Sequence, residues 1–265
     1  MDVVFTDLDG TLLDHSTYSF AEARPALDLL KHKGIPLVIC TSKTRSEVEY
    51  WRELLGNGHP FIVENGGAAF APADYFDFPV AASLRRDRYL MLPLGTPYTD
   101  LVASLASAAE ECGCRVLGFS QMSVAEVAEH CQMSLDQAAL AKEREFDEPF
   151  LILEPERTAE LLAAIERRGK RWTRGGRFHH ILGDNDKAAA VRILLDLYRN
   201  VEPNVRSIGL GDGLNDAQFL NAVDIPTLIR TPWLAQLQTL VPRGRPTNSR
   251  GPRGWCQAIL DLYSS

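Results

Sequence analysis

The sequence has few cysteines, no long apolar run and no excess of positive charge. Its five cysteines are an odd number without a Cys-x-x-Cys pair, which fits a reducing compartment. No apolar run reaches the roughly 18 residues that a membrane span needs, and Met1 leads into a strand-like segment rather than into a basic flank and an apolar helix. We therefore expect a cytoplasmic protein without a membrane partner.

Acidic residues outnumber basic ones by 35 to 28, giving a formal net charge of -7. Nucleic acids and anionic membrane surfaces both select a basic protein face, so neither is expected as a partner. An anionic small molecule would have to meet local positive charge. The 265 residues, 45% hydrophobic and 24% charged, are enough for two domains of ordinary globular composition. The oligomeric state is not fixed by these features.

Strand-like and helix-like periodicities alternate at both ends of the chain, which is typical of βαβ units and a parallel sheet. The central block has its own helices and strands. We therefore predict an α/β protein with a Rossmann-like doubly wound parallel sheet as its core, formed by residues 1–81 and 184–265. Residues 82–183 are predicted to form an inserted α/β cap domain. The strands expected in the core are 3–6, 35–41, 61–63, 205–210 and 225–229, and the helices are 21–33, 45–55, 186–198, 215–222 and 254–263.

Two apolar strand-like runs end in clustered acids. The first is followed by Asp7 and Asp9, and the second by Asp212 and Asp216. In α/β proteins the chemistry lies at the carboxyl ends of the strands, so these acids are expected to converge. Four carboxylates suggest a divalent cation, and Mg²⁺, which prefers about six oxygen ligands, suits them best. We predict Asp7, Asp9 and Asp212 as its ligands, with Asp216 and Asn215 as supporting or alternate contacts.

The same residue types supply what phosphate-ester hydrolysis needs: a nucleophile, a proton donor for the leaving oxygen, and positive charge for the phosphate. Asp7 is the expected nucleophile, and Asp9 the general acid and base. Lys187, at the start of a predicted helix, would neutralise both the phosphate and Asp7. Thr41 and Ser42, between a strand and a helix, would donate hydroxyl and N–H groups to phosphate oxygens.

Each of these features also has a structural interpretation. Asp9-Gly10 is a strong turn signal, Lys187 alone is more often a solvated helix residue, and Thr41-Ser42 is compatible with an N-cap of the next helix. The segment 64–66, Glu-Asn-Gly, fits a hairpin turn as well as a segment beside a ligand. The order of the four motifs along the chain favours the chemical interpretation.

Segments 7–11, 41–43 and 211–216, together with Lys187, resemble the four ordered motifs of the haloacid dehalogenase-like phosphohydrolase superfamily. The resemblance implies the same roles for Asp7 and Asp9, with the backbone carbonyl of Asp9 also facing the metal. Because the insertion lies between the second and third motifs, the chain resembles the subgroup with an α/β cap there, which includes sucrose-phosphate phosphatase. Many relatives have Gly-Arg where this chain has Ser42-Lys43, so a phosphate contact at residue 43 is left open.

Three further segments, 144–150, 175–180 and 251–255, resemble the mannosyl-3-phosphoglycerate phosphatases. That resemblance implies hydrolysis of mannosyl-3-phosphoglycerate to mannosylglycerate and phosphate, a step in the synthesis of a compatible solute. The partner would be a small phosphorylated sugar–glycerate molecule.

The cap residues that read such a substrate are less clearly marked. The acids at 145–148 precede a proline and are expected in a solvated turn, although the resemblance would have some of them, Glu145 among these, accept hydrogen bonds from sugar hydroxyls. Arg177 suits bidentate binding of the substrate carboxylate. His179 and His180 lie on a strand, where neighbours point to opposite faces, so at most one of them should face a ligand, and we select His180.

Other functions remain open on the residues alone. A phosphatase of the same subgroup acting on sucrose phosphate, glucosyl-3-phosphoglycerate or a hexose phosphate would share the core motifs. A phosphomutase would share them too, but it would have to protect its phosphoenzyme from water. A signalling receiver domain uses a similar acid cluster, yet it is a single continuous domain near half this length. A dehalogenase is disfavoured because Asp9 would have no leaving oxygen to protonate.

Overall fold

The computed structural model describes residues 1–175 and 177–263. Within these ranges the strands form a nine-stranded sheet and a four-stranded sheet. The strands are β1 (Asp2–Thr6), β2 (Leu37–Cys40), β3 (Phe61–Val63), β4 (Ala68–Pro72), β5 (Leu84–Arg86), β6 (Tyr89–Pro93), β7 (Val116–Gly118), β8 (Glu148–Ile152), β9 (Arg171–Gly175), β10 (Phe178–Leu182), β11 (Arg206–Gly211), β12 (Ile225–Leu228) and β13 (Arg245–Pro246). The helices are α1 (Arg24–His32), α2 (Arg45–Leu55), α3 (Tyr98–Cys112), α4 (Val124–Cys131), α5 (Leu135–Ala141), α6 (Thr158–Arg167), α7 (Lys187–Val201), α8 (Ala217–Ala222), α9 (Leu234–Leu240) and α10 (Gly251–Tyr263).

The large sheet is mainly parallel, in the order β13-β12-β11-β1-β2-β3-β4-β6-β5. β1 lies at its centre, parallel to both β11 and β2. Such a strand is covered on both faces, so its three central residues, Val3, Val4 and Phe5, are all apolar. Val3 and Phe5 pack with α7, α8 and α9 on one face, whereas Val4 packs with α1, α2 and α10 on the other. The predicted doubly wound α/β core is confirmed.

The small sheet is antiparallel, in the order β7-β8-β10-β9. Phe150 and Ile181 on this sheet pack against α3 and α6. Phe119 and Phe178 pack with α4 and α5 in a second apolar cluster. We call this sheet and helices α3 to α6 the cap, and the large sheet with its helices the core.

The antiparallel edge of the large sheet was not expected from the sequence. β5 and β6 fall inside the range 82–183 predicted for the cap, yet they pair with each other and with β4 of the core. We therefore propose that the insertion begins near Thr96 instead of residue 82. Gly183 packs so closely against Thr96 that a side chain at position 183 would collide with Thr96. The two connections between core and cap therefore lie side by side. Within the described ranges, the helices are too short or too polar to cross a bilayer.

Candidate active site

The acids predicted to converge do so at the carboxyl ends of β1 and β11. Because Thr6 of β1 is in register with Leu210 of β11, Asp7 directly follows one strand while Asp212 follows the other. Gly10 has φ +76, and a Cβ atom on it would lie 2.7 Å from Asp212 Oδ2. A glycine is needed there, both for the backbone conformation and for the approach of the two loops.

Asp7, Asp212 and Asp216 form a compact acidic cluster, with one carboxylate oxygen of each lying within 4.8 Å of the others. Lys187, which opens α7, places Nζ 2.9 Å from Asp7 Oδ1 and 2.6 Å from Asp216 Oδ1. The second oxygen of Asp216 accepts the backbone N–H of Gly213 at 2.9 Å. Asp216 is therefore largely satisfied by the protein, and Lys187 is the buried cation of the cluster.

Burial dominates the electrostatics of this cluster. It raises the pKa of Asp7 well above the ordinary value, and the nearby Asp216, Asp212 and Asp9 carboxylates add to the rise, while Lys187 opposes it. Burial, followed by the charge of Asp216, raises the pKa of Asp212 to about 7, although Thr11 donates a hydrogen bond to it. The carboxylates thus lack sufficient positive charge in the protein itself.

Asp9 stands apart from the cluster and pairs with a second lysine. Lys43 Nζ lies 2.9 Å from Asp9 Oδ2 and also approaches Glu47 at 3.4 Å. Both carboxylates raise the pKa of Lys43 against the opposing effect of its burial, so it stays charged. Asp9 Oδ1 is buried, and among the described residues it has no hydrogen-bond partner. Lys43 therefore fixes the orientation of the Asp9 side chain beside the cluster.

The charges around the site favour a divalent cation. Asp7, Asp212 and Asp216 are matched by one ammonium group, and Asp9 shares another with Glu47. Five carboxylates against two lysines leave about three negative charges in a largely buried region, and a buried charge is costly unless it is paired. Closely spaced carboxylate oxygens are the ligands that hard divalent cations prefer. The residues present therefore fit a metal ion.

The segment between β2 and α2 contains the other predicted phosphate contacts. Ser42 lies on the wall of a large cavity, whereas Thr41 is buried beneath it and its Oγ1 accepts the backbone N–H of Lys43 at 3.3 Å. The N-cap of α2 is Thr44, whose hydroxyl accepts the N–H of Glu47 in a capping box, so the alternative that Thr41 and Ser42 cap this helix is wrong.

The cavity lies between core and cap and has a volume of about 610 Å³, a size typical of small-molecule sites. Asp7, Asp9 and Asp212 form its floor, and Asn215, Arg177 and His180 also line it. Arg177 is exposed and donates to the carbonyl oxygen of His130 at 2.8 Å. His179, which precedes His180 on β10, contacts the rings of Phe150 and Trp172 rather than the cavity. As expected from the strand, His180 is the histidine of this pair on the cavity wall.

Glu145 is placed differently from the prediction. Among the described residues it is not part of this cavity wall, and its carboxylate pairs with Arg45 at 3.3 Å and Arg86 at 3.0 Å. We therefore drop Glu145 as a substrate contact. Its role is in the joint between cap and core, because its backbone N–H donates to the buried carboxylate of Glu64.

The solvated turn expected at 145–148 is in fact partly buried. Asp147 and Glu148 are both fully enclosed, Asp147 by Asn65 and His180, and Glu148 by Tyr98 and Ser120. Segment 64–66 is both a turn between β3 and β4 and a contact to the cap.

Sequence reasoning missed three residues of the site: Lys43, Asn65 and Arg144. The guanidinium group of Arg144 donates to the carbonyl oxygens of Ser42 and Asp147, both at 2.8 Å, and the residue lines the cavity. All three residues lie in segments that the sequence analysis had singled out, 41–43, 64–66 and 144–150, so their positions were marked although their roles were not.

Comparisons with known proteins show the family to which the chain is similar. Residues 4–78 match the model of the haloacid dehalogenase-like hydrolase family. The glucosyl-3-phosphoglycerate/mannosyl-3-phosphoglycerate phosphatase of Methanococcoides burtonii is 44% identical over 262 residues, covering 98% of this chain and 96% of the relative. The mannosyl-3-phosphoglycerate phosphatase of Pyrococcus furiosus is 37% identical over 227 residues, covering 86% and 90%.

Solved structures extend the likeness to the whole fold. A phosphatase of the haloacid dehalogenase superfamily from Bacteroides thetaiotaomicron aligns with a TM-score of 0.69 at 18% identity, over 100% of this chain and 95% of its own. A sugar phosphatase of subclass IIB of the same superfamily aligns with a TM-score of 0.67 at 15% identity, over 100% and 99%. At these identities the structural likeness concerns the fold.

Proposed function

Since the chain belongs to the haloacid dehalogenase-like phosphatases, among the glucosyl-3-phosphoglycerate/mannosyl-3-phosphoglycerate phosphatases, we propose that it hydrolyses mannosyl-3-phosphoglycerate to mannosylglycerate and phosphate. The observation that carries the proposal is the placement of Asp7 and Asp9 on the floor of a cavity closed on its other side by the cap. Glucosyl-3-phosphoglycerate is the second candidate, because relatives that match 98% and 99% of the chain are named for both substrates. In either case the enzyme would serve the synthesis of a compatible solute.

In the first step, an oxygen of the Asp7 carboxylate attacks phosphorus while the bond from phosphorus to the glycerate oxygen breaks. Asp9 gives its proton to that leaving oxygen, which leaves the product as an alcohol. In the second step, water attacks the aspartyl-phosphate and Asp9 takes its proton, so phosphate departs and both carboxyl groups return to their starting states. The position of Asp9 with Asp7 on the cavity floor supports this role, and the contact with Lys43 orients the Asp9 side chain.

The excess of negative charge among the aspartates on the cavity floor supports Mg²⁺ as the cofactor. We propose Asp7, Asp212 and the backbone carbonyl of Asp9 as ligands, with Asp216 holding Lys187 and the loop in place behind them. When bound there, the cation supplies charge neutralisation and Lewis-acid polarisation at the phosphate oxygens. Lys187 would share that task through its contact with Asp7.

Other residues of the site would bind the substrate. Ser42 and Asn215, which line the cavity, would hold the phosphate group together with Lys187, and Thr41 would support the turn beneath it. Arg177 is exposed at the cavity wall, where it can reach the carboxylate of the glycerate group.

The test is phosphate release by the purified protein with Mg²⁺ on mannosyl-3-phosphoglycerate, glucosyl-3-phosphoglycerate, sucrose-6-phosphate, mannose-6-phosphate and 3-phosphoglycerate. We expect a marked preference in kcat/KM for the two glycosyl-3-phosphoglycerates, abolished by chelator and by Asp7→Asn. Comparable activity on simple sugar phosphates would contradict the substrate assignment. Activity that survives Asp7→Asn would contradict the mechanism.

A further inference from the structure

A chain of buried hydrogen bonds runs from the acidic loop of the core to the cap and ends at His180. Asn215 Nδ2 donates to Asn65 Oδ1 at 3.2 Å, and Asn65 Nδ2 donates to Asp147 Oδ2 at 2.7 Å. Asp147 Oδ1 lies 2.8 Å from Nδ1 of His180. Asp147 is fully buried and Asn65 is 4% exposed. The carboxylate of Asp147 is therefore fixed by side chains of both core and cap.

The environment of Asp147 determines which nitrogen of His180 carries a proton. Burial raises the pKa of Asp147, but the opposing effects of His180, Arg144 and Asn65 are larger together, so its pKa lies below the ordinary value. An ionised carboxylate only accepts hydrogen bonds. Nδ1 of His180 must therefore be the donor, and the other ring nitrogen, Nε2, is left without the proton in the neutral imidazole.

Nε2 is the polar atom that His180 can offer to a ligand. The side chain lies on the cavity wall, and its hydrogen bonds within residues 1–175 and 177–263 involve Nδ1 alone. In the neutral imidazole Nε2 accepts a hydrogen bond and therefore matches a hydroxyl group. A carboxylate or a phosphate dianion, whose oxygens are acceptors themselves, would instead require the protonated ring.

We propose that His180 Nε2 accepts a hydrogen bond from a hydroxyl group of the substrate's sugar, and that Asp147 is the positioning residue that fixes the tautomer and the ring orientation. The inference rests on the proposed function in that it requires a glycosylated substrate. A partner that orients a ligand-binding histidine through its other nitrogen is a general way to hold such a ring. Substrates without the sugar would leave this acceptor unpaired, which is a strong basis for discrimination.

Two substitutions at His180 separate the functions of its two nitrogens. An asparagine side chain ends near the position of Nδ1, so His180→Asn can keep the bond to Asp147 but offers nothing at Nε2. A glutamine reaches about as far as Nε2, so His180→Gln restores a polar atom there and loses the bond to Asp147. His179→Asn is the matched control, because the neighbouring ring faces away from the cavity wall.

We expect His180→Asn and Asp147→Asn to lower kcat/KM for the preferred glycosyl-3-phosphoglycerate by about tenfold, the factor that corresponds to one hydrogen bond of typical net strength. Hydrolysis of p-nitrophenyl phosphate, which has no sugar, should stay within about twofold of wild type. His180→Gln should retain more activity on the glycosyl substrate than His180→Asn, and His179→Asn should behave as wild type. If Asp147→Asn does not fold, the comparison of His180→Asn with His180→Gln decides the inference by itself.

Three results would overturn the inference. Equal losses on p-nitrophenyl phosphate would mean that Asp147 and His180 act through the fold alone. Full activity in His180→Asn would show that Nε2 contacts no substrate group. An equal loss in the binding of 3-phosphoglycerate, measured as its inhibition constant, would assign His180 to the carboxylate.

If wild type prefers a simple sugar phosphate, the proposed function fails, and the same variants tested on that sugar phosphate still decide the role of Nε2.

Discussion

Among residues 1–175 and 177–263, Lys187 supplies the one ammonium group that contacts both Asp7 and Asp216, and replacing it with methionine removes that charge. The lysine side chain is 1% exposed, and its Nζ lies 2.9 Å from Asp7 and 2.6 Å from Asp216. Methionine is unbranched and adaptable, so it fills most of the same space without the charge. The substitution therefore isolates the electrostatic contribution of Lys187 to the acidic cluster.

The expected loss in the free energy of unfolding is about 3–5 kcal/mol, the usual cost of removing one partner of a buried ion pair. Asp216 keeps its bonds to backbone N–H groups, but the Asp7 carboxylate, whose pKa is already raised by burial, is left without a cation. Because a whole domain is stable by only about 5–15 kcal/mol, such a loss is a large fraction of the total.

The assay is urea unfolding at pH 8 in the presence of chelator, comparing wild type with Lys187→Met. Arg199→Met is the matched control: its pair with Asp196, at 3.0 Å, is exposed and worth about 1 kcal/mol or less. Excess Mg²⁺ should recover part of the loss in Lys187→Met, because a ligand that binds only the folded state stabilises it. A change below about 1 kcal/mol in Lys187→Met would refute the view that this lysine compensates the cluster.

Three further outcomes follow from the site. Asp9→Asn should lower kcat for phosphate release by about 10²–10⁴-fold, the range for loss of a general acid, and a smaller effect would argue against that role. Mg²⁺ should raise the melting temperature of wild type but not of Asp212→Asn, and an equal rise in both would place the cation elsewhere. Burial raises the pKa of Glu64 from 4.5 to about 7, so the folded state holds a proton that the unfolded chain releases. The resulting stabilisation is full below pH 4.5 and is lost as the pH rises through about 7. The free energy of unfolding should therefore fall less steeply between pH 5 and 8 in Glu64→Gln than in wild type. Parallel curves for the two proteins would contradict this prediction.

The parts of the fold that were predictable are those with strong local signals. β3 and α2 have the predicted bounds, because their apolar pattern is clear and each is bounded by turn or capping residues. β4 and β6 were missed because each ends in a proline, and β5 because all three of its residues are exposed. α9 was missed because it buries only Leu237 and so has little apolar periodicity. The pairing of these three strands depends on the finished sheet.

The candidate site also has a part that could be predicted from the sequence and a part that could not. The convergence of Asp7 and Asp212 follows from parallel strands, which bring their carboxyl ends to one edge. The burial of Asp147 could not be predicted, because its partners Asn65 and His180 are 82 and 33 residues away along the chain. From the local sequence alone, an acidic segment before a proline is expected to form a solvated turn. The packing of the cap on the core buries the segment instead.

The most direct test of the central claim, phosphoryl transfer to Asp7, is to trap the phosphoenzyme. Wild type is mixed with mannosyl-3-phosphoglycerate labelled in the phosphate, quenched in acid within one turnover, digested and sequenced by mass spectrometry. We expect the label on the peptide that contains Asp7, at that residue, with none on the same peptide of Asp7→Asn. Full turnover without protein-bound phosphate at any quench time, or label on another residue, would contradict the mechanism.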